Sequence, residues 1–385
     1  MTMHPNTVQQ LTQESTEALR RGDGASARAK LQEIIKNGPG MPKPWFLMAQ
    51  ACHLADDAEG EDNALEQLLT DEPRHLVGLL MKGVLKAKQG DSRAAASFYR
   101  TALNVAAQLP QIPQTIVPML QKAEAHIESS SADYEDFLLA QLEAKGVSRS
   151  VSPRFDQSLD LLLGKNELYL QQPSVFYFPG LPQRAFYERE EFSWIADMEA
   201  QIPALQHELQ GVLQQKDEFA PYVKINPERP LPNNALLNDP SWGAYYFWEN
   251  GVQVEEHAEQ CPVTMEALTQ PPLPIIKERS PIALYSLLKP GTHIKPHHGV
   301  LNTRLICHIP LITHDKCALR VGSETRRWED GKALIFDDSF EHEAWNRGDS
   351  TRIILLFEVW RPEITEEERV ALTAIFEAIS YYDAG

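Results

Sequence analysis

The stretch "YSLLKPGTHIKPHHGVLNTRLICHIPL", residues 285–311, begins and ends with runs rich in β-branched, aromatic and other apolar residues. The turn signal "KPG" follows the first run, which is typical of short strands joined by tight loops. Six of the twelve histidines in the chain fall between residues 293 and 342. Because imidazole is a common ligand of transition metals, this density raises the question of a metal site on a β scaffold. Four of the histidines lie in the quoted stretch: His293, His297, His298 and His308.

The second half of the chain is predicted to be mostly β-strand. Its apolar runs are short and are separated by loops that contain Gly and Pro. Many short strands at this spacing predict an antiparallel sandwich or a double-stranded β-helix, the jelly-roll or cupin-like architecture. An amphipathic helix is predicted before the strands, at residues 191–214, and an acidic helix capped by Thr365 is predicted after them. The runs are "WGAYYFW" (242–248), "IALYSLL" (282–288), "TRLICHIPLI" (303–312), "ALRVG" (318–322), "KALIFDD" (332–338) and "TRIILLFEVW" (351–360).

The first third of the chain repeats with a period of thirty-four residues. "GDGASARAKLQEII" from Gly22 and "GDSRAAASFYRTAL" from Gly90 start two periods apart, and Ala49 and Gly83 align one period apart. Thirty-four residues is the length of a helix–turn–helix repeat of the tetratricopeptide (TPR) type, in which small residues sit where paired helices approach closely. Glu61 departs from this pattern, because it occupies a position that usually takes a small residue.

We expect three segments along the chain: a TPR-like helical repeat domain over residues 1–128, a helical linker over 129–174, and a double-stranded β-helix domain over 175–385. The polar and acidic segment "ESSSADYED" (128–136) indicates the end of the repeats. A repeat array either buries its own core and stabilises its neighbour, or also captures a peptide or partner protein on a concave surface. The repeat pattern leaves both interpretations open.

Composition and charge argue against several classes of partner. The formal net charge of −18 repels phosphates, which argues against binding to nucleic acid or to anionic membranes. No apolar run approaches the length of a membrane span, and the N-terminus has no pattern of a secretory signal. The four cysteines are widely spaced and form no C-x-x-C pair, so we expect reduced thiols. These features predict a globular cytoplasmic protein and leave its oligomeric state open.

The spacing of two histidines and an arginine matches a mononuclear non-haem iron site. Such a site uses two histidines and often a carboxylate, and leaves positions open for a cosubstrate and for oxygen. His297 and His342 have the expected separation, and Arg352 follows ten residues later. The carboxylate is expected two residues after the first histidine, where this chain has Gly299. Arg352 opens a largely apolar strand, so it needs either a bound carboxylate or an ion pair with Glu358.

Three segments of the second half carry a family resemblance: "YSLLKPGTHIKPHHGVLNTRLICHIPL" (285–311), "RRWEDGKALIFDDSFEHEAW" (326–345) and "TRIILLFEVWRPEIT" (351–365). They resemble the catalytic domain of the aspartyl/asparaginyl β-hydroxylases, which are Fe(II)- and 2-oxoglutarate-dependent oxygenases on a double-stranded β-helix. The resemblance covers roughly residues 175–375 and is most specific in "LIFDDSFEHEAW". It implies that Fe(II) is the metal and that 2-oxoglutarate is the cosubstrate.

The resemblance also implies a role for each residue that matches the family pattern. Two histidines would bind iron, an arginine and a serine would hold the distal carboxylate of 2-oxoglutarate, and two further residues would lie near the cosubstrate. An aspartate would take part in catalysis by ordering a metal-bound water or a ligand histidine. The iron ligands would be His297 and His342. Arg352 and Ser286 would hold the distal carboxylate, and His308 and Arg304 would lie near the cosubstrate. The catalytic aspartate would be Asp338.

Two positions differ from the usual pattern of such sites. Family members that lack the carboxylate ligand have glycine in its place, with water filling the coordination position, and Gly299 fits these members. The second difference is Ile306, because the family commonly has a basic residue two positions before the equivalent of His308. Arg304, one strand step away on the same face, is the candidate to substitute for it.

The resemblance implies hydroxylation of the β-carbon of an Asp or Asn residue in a peptide or protein, coupled to oxidative decarboxylation of 2-oxoglutarate. A helical repeat array suits the capture of a polypeptide. Relatives on this fold also hydroxylate lipid acyl chains, but we expect no membrane segment in this chain, so the second hypothesis is the same chemistry on a free amino acid or other small molecule, with the repeats serving assembly. A third is a non-catalytic metal-binding scaffold, which Ile306 favours and the intact His297, His342 and Arg352 set opposes. Zinc hydrolase chemistry is disfavoured, because two histidines are too few for a usual catalytic zinc site.

Other polar and aromatic residues near these motifs have simpler interpretations. A solvated turn would account for the acidic residues around the second histidine, and loop positions would account for the remaining histidines. Three aromatic residues that alternate along one strand are expected in the core and at its rim. These groups are Asp337, Asp338, Glu341 and Glu343; His293, His298 and His314; and Trp242, Tyr246 and Trp248.

Overall fold

The computed structural model describes residues 3–38, 42–215, 218–225 and 234–383. The chain divides into two compact units, Met1–Leu163 and Gly164–Gly385. The first unit is helical and the second is built around antiparallel sheets, so the predicted fold class is confirmed. Within the described ranges, no helix combines the length and apolar character needed to cross a bilayer.

The first unit is a stack of helix pairs joined by short turns. The second helix of each pair begins after an aspartate N-cap, and these caps, Asp23, Asp57 and Asp91, recur every thirty-four residues. In each cap the side chain accepts a hydrogen bond from the backbone N–H three residues on, which satisfies an otherwise free donor. The predicted TPR-like repeat is therefore confirmed. The helices are α1 (Pro5–Arg20), α2 (Gly24–Asn37), α3 (Trp45–Leu54), α4 (Ala58–Asp71), α5 (Leu76–Lys88), α6 (Ser92–Ala106), α7 (Val117–Ala144) and α8 (Pro153–Leu162).

Two features of the first unit differ from a simple repeat. Glu61 is buried, and both of its carboxylate oxygens lie 3.1 Å from Nδ1 of His53, which accommodates a charge where a small residue is usual. Helix α7 runs through the polar segment 128–136, where we expected the repeats to end. That segment contains no Gly or Pro, and its polar side chains are tolerated on a largely exposed helix surface.

The second unit contains two antiparallel sheets. The larger has the strand order β1-β10-β7-β12-β5-β3-β2, with β4 paired to β3, and the smaller has the order β6-β11-β8-β9. This arrangement is the predicted jelly-roll class. The strands are β1 (Phe186–Tyr187), β2 (Ala220–Pro221), β3 (Trp242–Glu249), β4 (Val252–Gln253), β5 (Ala283–Leu288), β6 (His293–His297), β7 (Arg304–Ile312), β8 (Cys317–Val321), β9 (Glu324–Arg327), β10 (Leu334–Phe336), β11 (His342–Asn346) and β12 (Arg352–Trp360). The helices are α9 (Ile195–Ala200), α10 (Ile202–Leu213), α11 (Glu255–Gln260), α12 (Pro262–Ala267) and α13 (Glu366–Asp383).

The two faces of the larger sheet pack against different elements. Odd-numbered residues of its central strands, such as Tyr285 and Leu355, pack against α9, α10 and α12 and form the main core. Even-numbered residues, such as Ile306 and Ile354, pack toward the smaller sheet. Because side chains alternate along a strand, every second residue of β5, β7 and β12 is directed between the two sheets. The candidate site lies there.

Some element boundaries differ from the prediction. The helix expected at residues 191–214 is divided into α9 and α10, because Pro203 stands in the first turn of α10 and cannot continue a preceding helix. The predicted cap of the last helix is confirmed: Thr365 N–H donates to Oε2 of Glu368, and Glu368 N–H donates to Oγ1 of Thr365. Three strands of the smaller sheet were not predicted, because their sequences are short and polar: β6, β9 and β11.

Candidate metal centre

The two expected iron ligands lie side by side on neighbouring strands. His297 ends β6 and pairs in register with His342 at the start of β11, and their ring centroids are 4.1 Å apart. Nδ1 of His297 donates to the carbonyl of Lys295 at 2.8 Å, and Nδ1 of His342 donates to the carbonyl of Phe340 at 3.0 Å. Burial, together with the neighbouring His297, lowers the pKa of His342 to about 4. Because Nδ1 of each ring donates to a carbonyl, Nε2 is the atom of each ring that can bind a metal.

The third coordination position has no carboxylate ligand. Within the part of the chain that the structure describes, no three His, Cys, Asp or Glu side chains are arranged to hold a metal together. Gly299 lies two residues after His297, and its N–H donates to the backbone carbonyl of Asp338 at 2.6 Å. A Cβ on Gly299 would overlap the Asp338 carboxylate, at 2.6 Å from Oδ1 and closer still to Oδ2. The side chain of Asp338 thus fills the room that a ligand side chain at position 299 would need.

Asp338 is paired with a buried arginine and does not belong to a solvated turn. It is 7% exposed, and its Oδ1 accepts a hydrogen bond from Nη1 of Arg304 at 2.7 Å. Nε of Arg304 lies 2.5 Å from Oε1 of Glu358. Burial alone would lower the pKa of Arg304, but the two carboxylates outweigh burial and raise that pKa above its usual value. Arg304 therefore lines the cavity with its guanidinium already neutralised by protein carboxylates.

Arg352 has no such partner. It is 2% exposed, its Nε is buried without a hydrogen bond from the described residues, and Glu358, its alternative partner, is paired with Arg304. The guanidinium lies over the ring of Trp328, 4.9 Å from the ring centroid. Burial lowers the pKa of Arg352 to about 10. A buried cation without a counter-ion is costly, which favours a bound anion at this position.

Three polar side chains lie beside Arg352 on the same side of the sheet. Nδ1 of His308 accepts a hydrogen bond from Nε1 of Trp328 at 3.3 Å, so the proton of the neutral ring is on Nε2, which is buried without a described partner. Ser286 is 2% exposed and is a diagonal cross-strand neighbour of Arg352. The indole Nε1 of Trp242 is also buried without a partner among the described residues. Hydrogen-bond donors therefore surround the arginine.

These side chains enclose one cavity of about 330 Å³. Its donors fit a carboxylate anion, and its pair of imidazoles fits a divalent transition metal. The structure therefore brings together every site residue expected from the sequence. They are Ser286, His297, Arg304, His308, Asp338, His342 and Arg352.

Three contributors were missed from the sequence alone. Trp242 was expected in the core or at its rim, Trp328 was given no role, and Glu358 was considered only as a partner of Arg352. A tryptophan in the quoted "RRWEDG" motif was the one available signal for Trp328. Ile306, which takes the place of a basic residue, is buried and lines the cavity with an apolar surface.

The neighbouring polar residues have structural partners. Asp337 forms an ion pair of 2.5 Å with Arg361, and both side chains are fully buried. Nε2 of His293 lies 2.6 Å from Oε2 of Glu343, an ion-pair geometry in which neither residue lines the cavity. His298 does line the cavity. Of these neighbouring residues, only His298 lines the cavity, and Asp337, His293 and Glu343 form ion pairs outside its lining.

Comparison with known proteins confirms the family resemblance. Residues 199–362 match the sequence profile of the family described as Aspartyl/Asparaginyl beta-hydroxylase, and this range contains all the expected site residues. The Ornithine lipid ester-linked acyl 2-hydroxylase of Rhizobium tropici is 34% identical over 179 residues, which are 46% of this chain and 60% of that protein. The human Aspartyl/asparaginyl beta-hydroxylase is 40% identical over 147 residues, 38% of this chain and 19% of that protein. The match spans less than two thirds of either relative.

Among solved structures, the TPR domain of Sgt2 from Aspergillus fumigatus is similar to part of the chain. It matches with 15% identity and a TM-score of 0.29, and the match covers 34% of this chain and 85% of that structure. We assign the repeat fold from the helices and caps described above.

Proposed function

We propose that this chain is an Fe(II)- and 2-oxoglutarate-dependent hydroxylase, because residues 199–362 match the profile of the aspartyl/asparaginyl beta-hydroxylase family. The proposed reaction is hydroxylation of the β-carbon of an Asp or Asn residue in a peptide or protein. One observation supports the proposal above all others: the His297–His342 pair lines the same cavity as the buried Arg352, which has no partner among the described residues.

In this proposal, His297 and His342 hold Fe(II) through their Nε2 atoms, and the carbonyls bound to Nδ1 fix the orientation of each ring. Asp338 accepts no hydrogen bond at Oδ2 from the described residues, so this oxygen can hold a proton of a water molecule above Gly299. When bound, the metal and 2-oxoglutarate supply the oxidation that places one oxygen atom into a C–H bond. The protein supplies positions and hydrogen bonds.

The distal carboxylate of 2-oxoglutarate would bind to the Arg352 fork. Ser286 and Nε2–H of His308 would add hydrogen bonds from the neighbouring strands β5 and β7. Because Ile306 brings no charge and Arg304 is neutralised, binding would depend on Arg352 as the unpaired cation among the described residues of the cavity. A bidentate ion pair formed in a buried cavity would also offset the cost of burying Arg352 without a partner.

The remainder of the cavity is largely apolar and would keep bulk water away from the reacting atoms. These side chains come from both sheets, so the seal depends on how the smaller sheet packs on the larger one. The apolar lining includes Trp242, Ile294, Ile306, Leu319, Phe336, Ile354 and Leu356.

We propose that the repeat unit captures the polypeptide. It has a groove of about 530 Å³ on which helices α1, α3, α5 and α7 present apolar side chains. Leu54 is 47% exposed in this groove, and the buried Glu61 contributes a carboxylate. Arg20 also lines the groove, and the Glu61 carboxylate is held by His53, so the mostly apolar surface suits a peptide with apolar side chains. The apolar residues are Leu19, Leu47, Leu54, Val77, Met81, Val84 and Met119.

A second candidate substrate is a small or acyl-chain molecule. The rhizobial relative is, by its name, a hydroxylase of an ester-linked acyl group, and the apolar lining of the cavity here supports a substrate of that kind. A non-catalytic metal-binding scaffold is the third candidate, and only Ile306 favours it.

The experiment incubates the full-length protein with Fe(II), 2-oxoglutarate and either Asp- and Asn-containing peptides or an acyl-ornithine lipid. It measures succinate and the gain of one oxygen atom by mass spectrometry. We expect one succinate for each hydroxylated Asp or Asn, and none with the His342→Ala variant. Hydroxylation of the lipid alone would establish the second candidate. Loaded protein that makes no succinate with any substrate would contradict the proposal and leave the scaffold.

A further inference from the structure

Glu358 is fixed at one oxygen and engaged at the other. It lies on β12 and is 4% exposed. Its Oε2 accepts hydrogen bonds from Oγ of Ser280 at 2.6 Å and from the N–H of Ile282 at 3.0 Å. Its Oε1 lies 2.5 Å from Nε of Arg304. Two neutral donors therefore hold Oε2 of this carboxylate, while Oε1 forms an ion pair with the arginine.

Arg304 contacts Glu358 and also the carboxylate of Asp338. Its Nη1 donates to Oδ1 of Asp338 at 2.7 Å, so one planar guanidinium joins two buried carboxylates. The Nε contact is a close ion pair without hydrogen-bond alignment, and because the guanidinium is rigid and planar, its attraction to Glu358 restrains the direction in which Nη1 points. The position of the Asp338 carboxylate thus depends on Glu358 through Arg304.

The carboxylate that Arg304 positions stands directly over Gly299. Both of its oxygens lie where a Cβ at position 299 would be, beside His297 and His342 in the same cavity. Oδ1 is occupied by Arg304, while Oδ2 accepts no hydrogen bond from the described residues. Only Oδ2 is therefore available toward the position of the missing ligand.

We propose that Glu358 is a positioning residue of the metal centre: through Arg304 it holds the Asp338 carboxylate over Gly299, with Oδ2 directed to the third coordination position. This inference rests on the proposed function, because it assumes that His297 and His342 bind a metal. In this proposal Arg304 acts on the metal side of the cavity, whereas the family resemblance implied that it lies near the cosubstrate. Removing Glu358 would release Arg304 at Nε and let the Asp338 carboxylate leave its place.

The test is a titration of the full-length protein with Co(II), which reports both the affinity and, through its visible absorption band, the coordination of the metal. The variants are Glu358→Gln, Asp338→Asn and the double variant. We expect Glu358→Gln to weaken Co(II) binding by about tenfold, as is usual for residues that orient a metal site, and to shift the band as Asp338→Asn does. The double variant should bind no more weakly than Asp338→Asn alone, because both changes act through one carboxylate.

The matched control is Glu343→Gln. Glu343 is next to His342 in the chain, but its carboxylate is paired with Arg320 and His293 away from the cavity. We expect wild-type Co(II) affinity and an unchanged band. Loss of binding in this control equal to that in Glu358→Gln would show a general effect of removing an ion-paired carboxylate and would overturn the inference.

Two results would contradict the role of Glu358. One is a Glu358→Gln variant with wild-type affinity and band while Asp338→Asn loses both; the other is additive losses in the double variant. If Glu358→Gln does not fold, Arg304→Lys replaces it, since an ammonium cannot span both carboxylates. We expect the same non-additive loss, and wild-type binding would contradict the inference. Failure of the metal site itself is distinguishable, because the wild type would then bind no Co(II), or His342→Ala would bind it equally well.

Discussion

His297 and His342 face one another across the antiparallel strands β6 and β11, in register and with ring centroids 4.1 Å apart. Each ring is oriented by a hydrogen bond from Nδ1 to a backbone carbonyl two residues earlier in its own chain segment. These hydrogen bonds fix the orientation of both rings and leave Nε2 of each ring for the proposed metal ion. Such preorganisation favours binding, because few side-chain rotations are lost when the metal enters.

The first prediction concerns the cosubstrate arginine. Arg352→Lys keeps a positive charge but loses the planar fork, so it can no longer bind a carboxylate at two points. Hydrogen bonds to charged groups contribute about 1.5–3 kcal/mol each, and we expect the KM for 2-oxoglutarate to rise by about ten- to a hundredfold. Steady-state succinate formation at varied 2-oxoglutarate measures this change.

The control for Arg352→Lys is the metal affinity of the same variant. We expect Co(II) binding to remain at the wild-type level, because Arg352 holds no metal ligand. A variant with an unchanged KM for 2-oxoglutarate would contradict the assignment of Arg352.

The second prediction concerns the space above Gly299. Gly299→Ala places a methyl group against the Asp338 carboxylate, and we expect a loss of about 1–3 kcal/mol in the free energy of unfolding. In an Asp338→Gly background the same Gly299→Ala change should cost little, because the overlapping carboxylate is absent, although Asp338→Gly itself should destabilise the protein by removing one partner of the buried Arg304. Urea unfolding of the two single variants and the double variant measures the coupling.

A matched glycine provides the control. Gly211 lies in helix α10, and a Cβ there would meet no atom within 4 Å. Gly211→Ala should leave stability unchanged or raise it by about 0.5–1 kcal/mol, since Ala favours a helix. Equal destabilisation by both Gly→Ala changes would show that the overlap at Gly299 is not the cause.

The third prediction concerns the groove of the repeat unit. Leu54→Glu adds a charge to an exposed apolar position of the groove. Burying that charge against an apolar peptide costs enough to lower kcat/KM for a peptide substrate by about tenfold or more. Leu109→Glu, at a similarly exposed position outside the groove, should keep wild-type kcat/KM. Equal kcat/KM for both variants would rule out capture by this groove.

The fourth prediction concerns the cysteines. All four are free and buried. Burial raises the pKa of Cys261 to about 12, and it raises the pKa of Cys307 well above its usual range. Since the thiolate is the reactive form, folded protein at pH 8 should react very slowly with a thiol-specific reagent, whereas all four thiols should react after unfolding in guanidinium. A rapidly reacting thiol in the folded protein would contradict the burial described here.

Much of the fold follows from sequence pattern. Long β-branched runs such as 303–312 and 351–360 became β7 and β12, and the thirty-four-residue period became the helix pairs of the first unit. Strands β6 and β11 were missed because their sequences, "HIKPH" and "HEAWN", have polar residues and short length. The two strands that carry the candidate ligands therefore lack the apolar pattern by which strands are recognised.

The site residues were predictable where their separation along the chain matches a known type of site. The separation of His297, His342 and Arg352, together with the family motif, was sufficient to predict that these residues belong to one site. Partners that meet only through folding were not predictable. The contact of Arg304 with Glu358 joins residues fifty-four positions apart, and no local pattern distinguishes it from the alternative contact of Glu358 with Arg352.

The most direct measurement is made without oxygen: Fe(II) and then 2-oxoglutarate are added to the full-length protein, and the visible charge-transfer band of the chelate is recorded. We expect a band in the wild type and in His293→Ala, whose histidine pairs with Glu343 away from the cavity. We expect no band in His342→Ala and a much weaker one in Arg352→Ala at the same 2-oxoglutarate concentration. Absence of the band in folded, iron-loaded wild-type protein would contradict the assignment of this cavity to Fe(II) and 2-oxoglutarate.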